Sequence, residues 1–197
     1  MNHKKRLEKL IQKHHGTILS SDLDEYEIPR VYLQMYVAEG KLEKVDRGVY
    51  VSNDAIEDEM YAIQTKYPKL IYSHETALFI QGLSDRTPFQ YSATVPSGYK
   101  VVTKIAQRVK IYYIKKELHM VGVQMGESSF GNSIKVYNTE RTICDIIRSR
   151  SRIDTQILNQ ALKQFVKLQS VDYSLLMDYA KKLKIEKIIN NYLEVLL

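Results

Sequence analysis

Apolar and polar positions alternate between two periods along the first quarter of the chain. From Lys4 to His14, Leu7, Leu10, Ile11 and His14 recur on one face, which predicts an amphipathic helix with a basic, solvated side. Ser20 and Ser21 can cap a short helix anchored by Leu23. Ile28-Pro29 opens the next helix, since proline suits the first helical turn. Leu33, Tyr36 and Val37 face its core side, and Gly40 ends it as a C-cap. The period then shortens to two. Residues 42–45 and 49–51 read as strands joined by Asp46-Arg47-Gly48, a tight turn with a glycine. Helix, turn, helix and hairpin in that order predict a winged helix-turn-helix over residues 1–52. Residues 52–54 are short and polar and read as the joint to a second domain, 53–197.

The second stretch mixes both periods. Residues 54–66 read as a helix with Ile56, Met60 and Ile63 inward, stopped by Tyr67-Pro68. Strands are expected at 70–72, 90–95, 109–114, 121–125 and 133–137. Helices are expected at 74–81, capped by Ser73, and at 99–107. After Thr139, itself read as a cap, the pattern is helical to the end, over 141–149, 155–168, 172–183 and from Glu186 onward. The fold class is therefore α+β, with a winged helix-turn-helix followed by a small mixed-sheet domain and a helical C-terminal layer.

Charge changes this picture in one respect. The chain carries a net charge of +6 and a pI near 9.2. Basic and acidic side chains nearly cancel up to Val51, so most of the surplus lies after residue 96. Such basicity suits nucleic acid or an acidic partner. The single cysteine, Cys144, excludes a disulfide within the chain. No secretory-type apolar run follows the basic start, and no window is long and apolar enough for a bilayer. A cytoplasmic protein without membrane association is expected.

Candidate chemistry follows from placement. Arg47 puts a long cation on the turn of the hairpin, with Lys44 beside it, and is the first candidate for a DNA contact. On the second helix of the pair, Val31, Gln34, Met35 and Ala38 should point outward, with Arg30 and Lys41 at its edges. Gln34 can pair with an adenine edge and Arg30 with guanine or phosphate. Val31 and Met35 suit either thymine methyls or packing against the second domain. A further basic surface is expected from Lys100, Lys104, Arg108, Lys110, Lys115 and Lys116, joined by Arg148, Arg150 and Arg152. It reads equally as a phosphate track or as solvated scatter. Ser73, His74 and Glu75 invite a nucleophile or base, but capping accounts for Ser73 and Glu75 without chemistry. No phosphate-binding glycine loop, paired carboxylates or metal-ligand spacing appears in the sequence, so no catalytic residue, metal or cofactor is expected.

Three motifs then occur in order: Lys44 to Tyr50 (KVDRGVY), Tyr72 to Leu78 (YSHETAL) leading to Gly82 to Arg86 (GLSDR), and Glu140 to Asp145 (ERTICD). Together they resemble the AbiEi family, the antitoxins of type IV AbiE toxin–antitoxin systems linked to abortive infection of phage-infected bacteria. The resemblance implies a winged helix that binds inverted repeats in its own promoter and represses it. It further implies a C-terminal domain that counters a nucleotidyltransferase-like toxin without a stable complex, and a basic surface on that domain. Two other readings stand beside it. One is a winged-helix repressor that senses a ligand and has no toxin partner. The other is a metal-dependent nuclease, which the missing carboxylate cluster argues against.

Overall fold

Leu7 and Leu10 of the first helix close onto Leu23, Leu33 and Tyr36, so the apolar stripes of three short helices form one core with Ile18, Ile28 and Leu42. This is seen in a computed structural model that describes residues 2–196. The elements are α1 (His3–Lys13), β1 (Thr17–Leu19), α2 (Asp22–Glu25), α3 (Val31–Ala38), β2 (Leu42–Asp46), β3 (Val49–Ser52) and α4 (Glu59–Lys66). The Asn2 side chain caps α1 by accepting the Lys4 N–H at 3.1 Å. The strand β1 is not legible in the sequence. It pairs antiparallel with β3, Thr17 opposite Val51, and makes the hairpin a three-stranded sheet in the order β1-β3-β2.

Several local expectations are corrected here. Ser21 stands at the start of α2 without a side-chain cap bond. The Asp22 carboxylate instead ties the start of α2 back to β1, accepting the Leu19 N–H at 2.8 Å. α3 starts at Val31 with Arg30 as its N-cap residue, two residues later than a proline at the first helical position suggests. Val37 is exposed, because the core side of so short a helix is filled by Leu33 and Tyr36. α4 begins at Glu59 rather than Asp54, because the Asp58 carboxylate caps it by accepting the Tyr61 N–H at 3.1 Å. Ile56 consequently lies outside the helix and is exposed.

The first compact unit does not end at Ser52. It runs to Pro68 and takes in residues 127–134. Asp58, 1% exposed, gathers that segment. Its carboxylate accepts the Ser128 hydroxyl and, at 2.9 Å, the Asn132 side-chain amide. Its own N–H donates to Thr17 Oγ1 at 2.8 Å. Asn132 also donates to the His14 carbonyl at 3.1 Å, and the His14 ring stacks on Tyr61 at 4.9 Å. His14 is thus held in packing and hydrogen bonding at a helix end.

The second unit comprises residues 69–126 and 135–197. Its elements are β4 (Ile71–Tyr72), α5 (His74–Ile80), β5 (Tyr91–Pro96), α6 (Thr103–Arg108), β6 (Val109–Ile114), α7 (Lys116–His119), β7 (Val123–Glu127), β8 (Ser133–Tyr137), α8 (Thr139–Arg148), α9 (Thr155–Phe165), α10 (Tyr173–Lys182) and α11 (Glu186–Leu196). The sheet is mixed, in the order β6-β5-β4-β8-β7. β4 runs antiparallel to β5 and parallel to β8, while β5 and β6 are parallel. Ile143, Ile146 and Ile147 of α8 share one core with Leu158, Leu162 and Phe165 of α9 and Leu176 of α10, which is the helical C-terminal layer. Asn138 rather than Thr139 caps α8, accepting the Arg141 N–H at 3.0 Å.

A buried ion pair sits in this interior. Arg141 and Asp145, one helical turn apart and at most 1% exposed, pair at 3.0 Å. The Arg141 guanidinium also donates to the carbonyls of Leu118 (3.0 Å) and Val121 (2.6 Å) and lies over the Tyr137 ring at 4.2 Å. It clamps the α7–β7 connection to α8. Cys144 beside it is buried, and burial pushes its thiol up to about 12, so it serves as a small apolar side chain.

Candidate nucleic-acid interface

The hairpin tip of the first unit is built by conflicting demands on three residues. Gly48 takes φ +74°, a conformation that favours glycine, and a Cβ there would also displace the Ser20 hydroxyl, 2.8 Å away. The register shifts between Lys44 and Asp46, a bulge that twists the strand end outward. Asp46 is occupied from both sides: its carboxylate accepts the Arg47 N–H at 2.7 Å and pairs with Lys66 at 3.0 Å. The nearest acid is therefore engaged by Lys66. Arg47 stays exposed on the tip, as does Lys44 on β2, and neither has an ion pair among the described residues.

The other three expected contacts behave differently. Gln34 is exposed on α3 beside Val31 (54%) and Met35 (37%), so the outward face reads as the periodicity predicts. Arg30 pairs with Asp24 at 2.9 Å. Lys41 pairs with Glu39 at 2.7 Å and lies over the Tyr36 ring at 4.9 Å. The bond from Lys41 holds the Glu39 carboxyl below its usual range. Such exposed pairs contribute little to stability and exchange readily for another anion. Lys66, which neutralises Asp46, was absent from the sequence reading because it lies on α4, outside the motif.

In the second unit some of the expected basic residues are exposed and others are engaged by neighbours. Lys100 and Lys104 are exposed near α6, and Lys115 and Lys116 at the start of α7. Arg108 is half-buried. Arg150 turns back onto the Ile147 carbonyl at 3.2 Å. Lys110 pairs with Glu75 at 3.5 Å and donates to the Arg152 carbonyl at 3.1 Å, while the Arg152 guanidinium covers Tyr112 at 4.5 Å. Glu75 thus holds Lys110 and is not a capping partner.

Beneath these cations lies His74, fully buried, with φ +50° at the head of α5. Its ring stacks on Tyr112 at 3.5 Å. Nδ1 lies 2.9 Å from Ser73 Oγ and Nε2 lies 3.0 Å from Ser149 Oγ. Thr94 donates its hydroxyl to Ser73 Oγ at 2.8 Å, so Ser73 makes no side-chain cap. Both ring nitrogens are engaged and the ring is sealed from solvent, an arrangement that ties β5 and α5 to the end of α8. Burial, then the charges of Arg148 and Lys110, hold His74 well below the ordinary histidine range. His119 is shifted the same way by burial. With the folded-state value depressed, the unfolded chain binds the extra protons, so stability is full above about pH 6.5 and falls on acidification. A His74→Gln chain should lose up to ~1.4 kcal/mol of that fall per pH unit below about 6.5, read from urea midpoints at pH 5 and pH 7. An unchanged slope would remove His74 as its source.

Helices, a short strand and a hairpin with exposed Arg47 at its tip make up the first unit, and its sequence matches a known family in part. Residues 5–53 match the family described as transcriptional regulator, AbiEi antitoxin, over α1 to β3. No curated protein matches the chain in sequence. In fold, the chain is similar to the crystal structure of the RV2827C protein from Mycobacterium tuberculosis, with a TM-score of 0.60 at 12% identity. That likeness covers 91% of this chain and 71% of the other. Among the described residues no helix is long and apolar enough to cross a membrane, and no group of three or more His, Cys, Asp or Glu is placed to hold a metal ion.

Proposed function

We propose that the chain is an antitoxin of a type IV toxin–antitoxin system and the transcriptional autorepressor of its own operon, acting in the cytoplasm without catalysis. The first unit is a winged helix-turn-helix. In this reading α3 enters the major groove of promoter DNA carrying inverted repeats, presenting Gln34 to base edges, and the β2–β3 hairpin is the wing. Arg47 and Lys44 contact phosphates or the neighbouring groove, and Arg30 and Lys41 exchange Asp24 and Glu39 for phosphate. The second unit opposes a nucleotidyltransferase-like toxin without a stable complex. The observation that supports the reading best is the match to the AbiEi regulators over residues 5–53, the stretch whose hairpin tip holds Arg47 exposed and, among the described residues, without an ion pair.

The test separates the two roles. The neighbouring gene of the operon is induced alone, with the full chain, and with the Lys44→Ala/Arg47→Ala chain, beside a promoter reporter. Both chains should rescue growth, and only the parent should repress the reporter. In binding assays the double variant should bind the promoter duplex about tenfold more weakly, with a salt slope reduced by about two units. Full repression by the double variant would remove the wing from the DNA contact. Failure of the parent chain to rescue growth from a toxic neighbour would remove the antitoxin role.

A further inference from the structure

Where β6 gives way to α7, the second unit has an open cavity of about 510 Å³, within the range of small-molecule sites. Its apolar lining comes from Ile114, Leu118 and Leu183. Four cations line it, Lys115, Arg148, Lys182 and Lys184, against one carboxylate, Glu117. Two of the four have local explanations in part. Lys182 pairs with Asp178 at 2.6 Å, and both Arg148 and Lys182 stand in last helical turns, where cations are favoured. Those explanations do not reach Lys115 or Lys184. Neither has an ion pair among the described residues, and Arg148, half-buried, has none either.

Lys184 carries the argument further. It follows α10 with φ +59°, and Ile185 N–H closes back on the Ala180 carbonyl at 2.9 Å. This is the helix-ending turn whose left-handed residue is usually glycine, since any side chain there is strained. A lysine keeps a backbone cost that glycine would remove, and its side chain lines the cavity. Tyr113, 53% exposed, lines the same cavity and offers a ring face for stacking.

We infer that this cavity binds a phosphorylated small molecule of the nucleotide class, its phosphates held by Lys115, Arg148 and Lys184 and its base stacked on Tyr113. The inference is independent of the DNA-binding reading, since every residue it uses belongs to the second unit.

Calorimetric titration and thermal melting of the full chain with ATP, inorganic pyrophosphate and adenosine test it. ATP should bind saturably and adenosine should not. Lys184→Gly should bind ATP at least fivefold more weakly while melting at the parent temperature or about 2–4 °C above it, because the strain is relieved. Arg148→Gln should weaken ATP at least tenfold. Lys163→Gln, an exposed change on α9 outside the cavity, should alter nothing. No saturable binding of ATP, or equal weakening by Lys163→Gln, overturns the site. Pyrophosphate binding as tight as ATP overturns its assignment to nucleotides.

Discussion

Replacing Arg141 by methionine is expected to destabilise the second unit by about 3–5 kcal/mol in urea unfolding. The change removes the charge that sits against Asp145 and leaves a carboxylate fully buried with no counter-ion. It also takes the guanidinium donor away from the Val121 carbonyl and leaves the Leu118 carbonyl with backbone donors alone. Gly122 packs closely on this side chain, since a Cβ there would meet Arg141 Cβ at 2.7 Å. The deficit should depend on pH with a defined sign. Burial pushes the Asp145 carboxyl up, and Arg141 pulls it down. Without Arg141 the raised value wins, so the penalty is greatest above the folded-state value and shrinks as acid neutralises the group. A chain with Asp145→Leu added should recover most of the loss, because a buried pair replaced by apolar groups is often neutral. A loss below about 1 kcal/mol for the single variant would show that the pair does not organise this interior.

Asp58→Ala should have the next largest effect, about 2–4 kcal/mol in the first unit. The variant loses the α4 cap and takes the buried acceptor from the Ser128 hydroxyl and from one N–H of the Asn132 amide, whose other N–H still donates to the His14 carbonyl. Asp58→Asn retains an acceptor oxygen and should fall between the two. Amide exchange resolves the cause, because residues 127–134 should lose protection before α1 does. Equal exchange across both segments would instead make Asp58 a general core residue.

How the chain divides was only partly legible in its sequence. Long periodic segments read correctly: α1, α3, α9, α10 and α11 appear close to where their apolar stripes place them, and the mixed sheet of the second unit follows its alternating runs. What escaped was non-local. Thr17–Leu19 is three residues with no alternation, and it becomes a strand only because β3 lies opposite. The role of Asp58 depends on partners some seventy residues away, Ser128 and Asn132, which no local pattern announces. Competition between polar side chains misled the capping assignments. Ser73 stands at a helix start, yet the buried His74 and Thr94 claim its hydroxyl. At the candidate interface, exposure of Gln34 and Arg47 followed from spacing. Ion pairing of Arg30 and Lys41 did not, since Asp24 and Glu39 approach them only in the fold. Lys184 was invisible as a site residue because its signal is a backbone angle.

The central claim is that the first unit recognises the operon's own promoter. Fluorescence anisotropy of the full chain against a duplex from immediately upstream of its operon, beside a scrambled duplex of equal length and composition, tests it most directly at two salt concentrations. The account predicts tight, saturable binding to the promoter duplex that survives excess scrambled competitor. Raising the salt should weaken binding to both duplexes while preserving the preference. Equal affinity for the two duplexes at both salt concentrations would contradict it.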